Sequence, residues 1–141
     1  MTREAVSAPG ASAIGPYSHG VWAGKRLYLS GQTPLDSTTG ELAPGDVTTQ
    51  TEQCFMNLFA VLHAAGLGPE NVVKVNVYLT DMADFPVMNA AYAKMFEQPY
   101  PARTTVGVTA LPRGARIEIE MIARRASGAR AKGKKGGKKQ K

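Results

Sequence analysis

Between Pro101 and Arg125 runs the stretch PARTTVGVTALPRGARIEIEMIARR, and its second half constrains the fold more than any other segment. Arg116-Ile117-Glu118-Ile119-Glu120-Met121-Ile122 alternates strictly between polar and apolar residues. A period of two belongs to a half-buried strand, so Ile117, Ile119 and Met121 share a face that must be covered. The opposite face then carries Arg116, Glu118 and Glu120. Upstream, Thr104 to Val108 is rich in β-branched residues, and Leu111-Pro112-Arg113-Gly114 has turn chemistry. The stretch therefore predicts two strands joined by a turn. Arg103 stands at the mouth of the first strand, where it and a carboxylate of the returning strand, Glu118 or Glu120, can converge on one small polar spot.

The rest of the chain supplies what the apolar face needs. Asp46 is suited to cap a helix running to about Ala65, and Gly66 to end it. Val47, Thr51, Cys54, Phe55, Leu58, Val61, Leu62 and Ala65 recur at helical spacing. A second helix opens at Asp81 or Asp84, with Pro86 in its first turn and Phe85, Met88, Tyr92 and Met95 as its buried stripe. Asn89 is the polar residue out of place beside that stripe. Further strands are predicted at Val21-Trp22, Leu27 to Gln32 and Val73 to Thr80, whereas Met1 to Ile14 reads as a loose arm and Pro34 to Asp46 as a loop. The order β-β-α-β-α-β-β makes this an α+β chain with both helices on one face of a sheet. The other face would carry Tyr28, Ser30, Lys74, Asn76, Tyr78, Glu118 and Ile122. It is too aromatic to be simply wet, which points to a second copy of the chain.

A length of 141 residues supports one domain. No apolar run approaches the roughly 20 residues of a membrane span, and Met1 to Ala5 has no apolar core of a secretory signal, so a cytoplasmic address is expected. The single Cys54 excludes an internal disulfide. His19 and His63 lie far apart without ligand-like neighbours, so no metal site is predicted. The net charge of +6 is unevenly spread: of 17 Lys and Arg, seven fall between Ala126 and Lys141, leaving 10 against 11 acidic residues in the body. Residues 1–125 are thus read as a near-neutral folded domain. Residues 126–141 are read as a disordered basic tail that cannot build a core.

Several stretches, taken together and in order, resemble the Rid family, the reactive intermediate deaminases of the YjgF type. They are Ala13-Ile14-Gly15-Pro16-Tyr17-Ser18, Leu29-Ser30-Gly31-Gln32, Ala64-Ala65-Gly66-Leu67, Asp84-Phe85 to Asn89, and Pro101-Ala102-Arg103 through Ile117-Glu118-Ile119-Glu120. The resemblance covers roughly Ala8 to Arg125. It implies a chorismate-mutase-like fold with a mixed sheet, and a homotrimer with sites at subunit interfaces. It also implies hydrolysis of small carboxylated imines and enamines, such as 2-aminoacrylate, to a 2-keto acid and ammonia without metal or cofactor. Carried over, Arg103 matches the family's carboxylate-binding arginine, while Tyr17, Ser30, Gly31, Asn89 and Glu118 match pocket positions. Thr105 stands where many members have cysteine, at a position whose implied role is a backbone carbonyl.

Each of these residues also has a plain structural reading. Arg103 offers a planar fork for a carboxylate, or forms an ion pair with Glu118 or Glu120. Glu118 activates a water, or lies on a solvated strand face. Tyr17 closes a pocket, packs at an interface, or does both. Ser30 and Asn89 hydrogen-bond a substrate or cap local backbone, and Cys54 in the helix stripe packs in the core. Two other functions compete with deamination: an RNA-directed activity such as a ribonuclease or translation inhibitor, and a ligand-binding trimer without turnover. The tail alone favours nucleic acid, through weak contacts to phosphates. Truncation after Arg125 is therefore expected to abolish nucleic-acid binding, followed by fluorescence anisotropy across a salt series, and to leave imine hydrolysis unchanged. Salt-resistant RNA binding by the truncated chain would place that activity in the body instead.

Overall fold

The computed structural model describes residues 2–9 and 15–126. Eight elements follow one another: β1 (Glu4–Val6), β2 (Gly20–Ala23), β3 (Arg26–Gln32), α1 (Val47–Ala64), β4 (Val72–Leu79), α2 (Phe85–Ala93), β5 (Ala102–Gly107) and β6 (Ile117–Arg124). The strands form one mixed sheet in the order β1-β2-β3-β6-β4-β5, in which only β4 and β5 run parallel. The basic tail from Ser127 onward lies outside the described residues.

The alternation of β6 explains its position. Ile117, Ile119, Met121 and Ala123 are almost fully buried, and so are Val75, Val77 and Leu79 of β4 and Leu27 and Leu29 of β3. These side chains form one apolar floor beneath Phe55, Leu58 and Leu62 of α1. Burying each such side chain is worth about 1.5–3 kcal/mol, so this floor dominates the fold's stability. Phe55 also meets the rings of Phe59, Tyr92 and Phe96 at centroid distances of 5.5–5.6 Å, which ties α1 to α2 and to the segment after it. α1 begins as the sequence dictates, with the Asp46 carboxylate accepting from Thr49 N at 3.1 Å. It stops where Gly66 takes φ +79°, a conformation cheap only for glycine.

Four sequence expectations are corrected. The supposed loose arm contains β1, which extends the β2–β3 hairpin by pairing Ala5 with Val21; three residues are too few for periodicity to register. Asp84 does not cap α2 with its side chain but pairs with Arg116 at 2.9 Å, while Asp81 caps the preceding turn through Ala83 N. α2 ends at Ala93, so Met95 packs against the core from beyond the helix.

The last correction matters most. β5 and β6 are not neighbours, because β4 lies between them, parallel to β5 and antiparallel to β6. The register pairs Arg103 with Val75 and Glu118 with Tyr78, and on β4 those two residues face opposite ways: Val75 into the helices, Tyr78 onto the open face. Arg103 and Glu118 therefore project from opposite faces of the sheet. One protomer does not bring them together.

Candidate functional site

A cleft of about 930 Å³ lies where the N-terminal segment, the end of β3 and β6 meet one side of α1. Its form comes from an irregularity in the β3–β6 ladder. Leu29 pairs with Met121 and Gln32 with Ile119, so Ser30 and Gly31 together oppose the single residue Glu120. Such a bulge re-aims the strand and leaves room beside it. Glu118 fills that room. A Cβ on Gly31 would overlap Glu118 Oε2 and sit 3.0 Å from its Cδ, so the absence of a side chain at position 31 is what lets the carboxyl lie there. Burial pushes the Glu118 carboxyl above the usual carboxylate range, and the neighbouring negative charge of Glu120 adds to the effect.

Glu120 is held differently. Its Oε2 accepts from Tyr78 Oη at 2.8 Å and from Asn76 Nδ2 at 2.9 Å. The bond to Glu120 in turn raises Tyr78 above the ordinary phenol range. Ser30 Oγ donates to Ser18 O at 2.6 Å and Ser30 N to His19 O at 2.9 Å, so Ser30 ties the N-terminal segment down beside the bulge. Tyr17 borders the same cleft and is 46% exposed. Thus Tyr17, Ser30, Gly31 and Glu118 share one cleft.

Arg103, Thr105 and Asn89 do not reach that cleft. Arg103 and Thr105 belong to β5 and face the helices, whereas Asn89 is exposed on α2. The Arg103 guanidinium lies 4.6 Å from the ring centroid of Tyr92 and 5.6 Å from that of Phe85, so it is stacked on aromatic faces. It is not ion-paired with Glu118 or Glu120, which stand across the sheet. Around it, Tyr92 Oη and Thr105 Oγ1 are buried without a hydrogen-bond partner. Buried polar atoms are usually satisfied, which sets these two apart from the rest of the core.

Sequence reasoning passed over three residues here. His19 is only 5% exposed, lines the cleft and leaves Nδ1 unpartnered; its spacing from His63 speaks only to metal binding. Among the described residues, no group of three or more His, Cys, Asp or Glu is placed to hold a metal. Glu120 could have been singled out, since it shares Glu118's face by alternation. Arg113 reaches the rim at φ 60°, with Nη1 donating to Gly40 O at 3.3 Å, and nothing in a turn motif announces this. Cys54 is buried, as its place in the stripe predicts. Its Sγ donates to Gln32 O at 3.2 Å, and burial holds the thiol far above its usual range.

The fold and this arrangement define a class. Residues 7–125 match the family described as endoribonuclease L-PSP, and the chain belongs to that family, known also as YjgF or Rid. Among its relatives, the 2-iminobutanoate/2-iminopropanoate deaminase of Mus musculus is 47% identical over 112 residues, which are 79% of this chain and 83% of that one. RidA from an Antarctic Psychrobacter superposes with a TM-score of 0.82 at 43% identity, covering 86% of this chain and 99% of that one. Escherichia coli TdcF, solved with bound serine, superposes with a TM-score of 0.83 at 38% identity, covering 87% and 99%. Two helices on a six-stranded mixed sheet are thus shared with solved Rid proteins.

Gly31→Ala tests the close approach directly. The atom it meets is the end of a flexible side chain, so the urea midpoint is expected to change little. The carboxyl is displaced by about 1 Å, and turnover is expected to fall on the order of 10²-fold. Unchanged turnover would show that the position of the Glu118 carboxyl is immaterial.

Proposed function

We propose that this chain hydrolyses small carboxylated imines and their enamine tautomers, of the 2-iminopropanoate and 2-iminobutanoate type, to 2-keto acids and ammonia. The observation that carries the reading is the Glu118 carboxyl, set against Gly31 in a cleft and raised above the usual carboxylate range by burial and by Glu120. The chain around it is 42–47% identical to several proteins named as deaminases of this type. That TdcF binds serine supports a carboxylate-bearing ligand of this size.

In this reading the working unit is a homotrimer with chorismate-mutase-like packing, residues 1–125 forming its domain, in the cytoplasm. The two half-sites explain why more than one copy is needed. One protomer supplies Tyr17, Ser30, Gly31 and Glu118. Its neighbour supplies Arg103, whose fork takes the substrate carboxylate, with Thr105 and Asn89 beside it. Glu118 takes a proton from water as the oxygen adds to the imine carbon, and returns it to the nitrogen as the C=N π pair moves there. In the resulting carbinolamine Glu118 takes the hydroxyl proton as the oxygen closes to a carbonyl, and that proton passes to the nitrogen as the C–N bond breaks and ammonia leaves. No redox step or electron sink is required. One such carboxylate supplies about 10²–10⁴-fold, and fixing the carboxylate end adds through positioning.

The family's description favours a second reading, cleavage of RNA. Three carboxylates, Asp36, Glu118 and Glu120, line the cleft against the single Arg113, and the body carries 10 basic against 11 acidic residues. Both features oppose a phosphate backbone.

The test is a coupled assay in which an amino-acid oxidase or a serine dehydratase generates the imine and its loss is followed. Arg103→Ala is expected to remove activity on every carboxylated imine with the fold intact, because losing a bond to a charged partner costs about 1.5–3 kcal/mol before misplacement is counted. Arg103→Lys keeps the charge but not the bidentate geometry and is expected to stay impaired. Wild-type rates in Arg103→Ala would reduce this arginine to a structural partner of Tyr92 and Phe85.

A further inference from the structure

Glu120 is the best-held carboxylate of the cleft, yet neither the resemblance nor the reading above gives it a task. It lies two residues along β6 from Glu118 on the same face, and both line the cleft. Tyr78, which pairs directly across from Glu118, does not bond Glu118 but reaches along the strand to Glu120. Asn76, which pairs across from Glu120, donates to the same oxygen. Two neutral donors thus fix one carboxylate while its neighbour is left unbridged. A sheet face that merely needed satisfying would share its donors between the two; this one immobilises a charge beside a free carboxyl.

We propose that Glu120, pinned by Asn76 and Tyr78, is a positioning residue whose fixed negative charge makes Glu118 the proton carrier of the cleft. The inference rests on the deaminase reading and deepens it. A carboxylate in water is a poor base near neutral pH, and proton transfer is most effective when donor and acceptor affinities are close. A like charge two residues along the same face, partly shielded from water, strengthens the proton's hold on Glu118 and adds to the larger effect of burial. The donors keep that charge in place and keep Glu120 from folding away. Other groups also surround Glu118. Tyr78 and Asn76 are neutral, as is the Cys54 thiol behind it. Lys74 opposes Ile122 and bonds Thr104. Tyr17, His19, Asp36 and Arg113 stand on the cleft's walls and rim.

The experiment compares full-length wild type, Glu120→Gln and Glu118→Gln, each verified as folded. Two readouts are taken: the pH profile of enzymatic imine hydrolysis above the uncatalysed rate, and the ¹³C titration of the Glu118 side-chain carboxyl. Glu118→Gln identifies the ¹³C signal of Glu118 by its loss, and the limb of the wild-type profile whose midpoint matches that signal's titration is assigned to Glu118. In Glu120→Gln that limb and the ¹³C midpoint are expected to move together to lower pH, by about half to one unit, with kcat reduced several-fold. Tyr78→Phe, which keeps the charge but loosens it, is expected to move both by less. An unmoved ¹³C midpoint in Glu120→Gln overturns the inference, leaving Glu120 as a structural clasp. So does a midpoint that moves while the rate limb stays, since the charge would then act on Glu118 without serving catalysis. If wild type shows no imine hydrolysis, or Glu118→Gln retains it, the deaminase reading has failed and the inference with it; that outcome is told apart by the wild-type and Glu118→Gln rates alone.

Discussion

The interaction on which the molecule depends is the burial of one face of β6 against α1. Ile117, Ile119, Met121 and Ala123 are locked into the apolar floor, and because side chains on a strand alternate, this fixes where Glu118 and Glu120 must point. A slip of one residue would bury two carboxylates and expose four apolar side chains. Register here is therefore held by the whole core. The chemistry on the open face inherits that rigidity from side chains it never touches. The bulge at Ser30 and Gly31 is the local adjustment that turns a rigid face into a cleft.

The same sheet separates what the proposed reaction needs. The register through β4 sets Arg103 beside Val75 and Glu118 beside Tyr78, so the arginine and the glutamate take opposite faces within one chain. Each half carries signs of being unfinished. On one side, Tyr92 Oη and Thr105 Oγ1 are orphaned beside an arginine resting on two rings. On the other, Tyr28, 46% exposed, and Ile122 lie on a sheet face that no described element covers. An isologous or cyclic contact that set one half against the other would cover the apolar face and complete the polar site in one step.

Local pattern made much of this legible. The alternation of Ile117 to Met121, the cap at Asp46 and the stop at Gly66 are short-range signals, and the elements they announce are where they should be. The placement of Arg103 beside Glu118 failed because strand order is not a local property. Pro101 to Arg125 reads naturally as adjacent strands, and nothing within it reports that β4, from some 30 residues earlier, pairs with both. The bulge was invisible for the same reason, since it exists only in the pairing of β3 with β6. β1 escaped because three residues pair by backbone alone. Tyr17, Ser30, Gly31 and Glu118 could be gathered only through the family resemblance, as their spacing in sequence carries no geometry of its own.

The central claim is that a working site joins Glu118 of one copy to Arg103 of another, and subunit mixing tests it most directly. Arg103→Ala and Glu118→Gln chains, each inactive alone, are unfolded, combined in equal amounts and refolded, with mixed trimers verified by native mass spectrometry. Random assembly then gives sites with both intact residues in about a quarter of cases, and the account predicts recovery of imine hydrolysis toward that fraction of wild type. Mixed trimers no more active than either parent would contradict it, because the two residues would then have to act within a single chain.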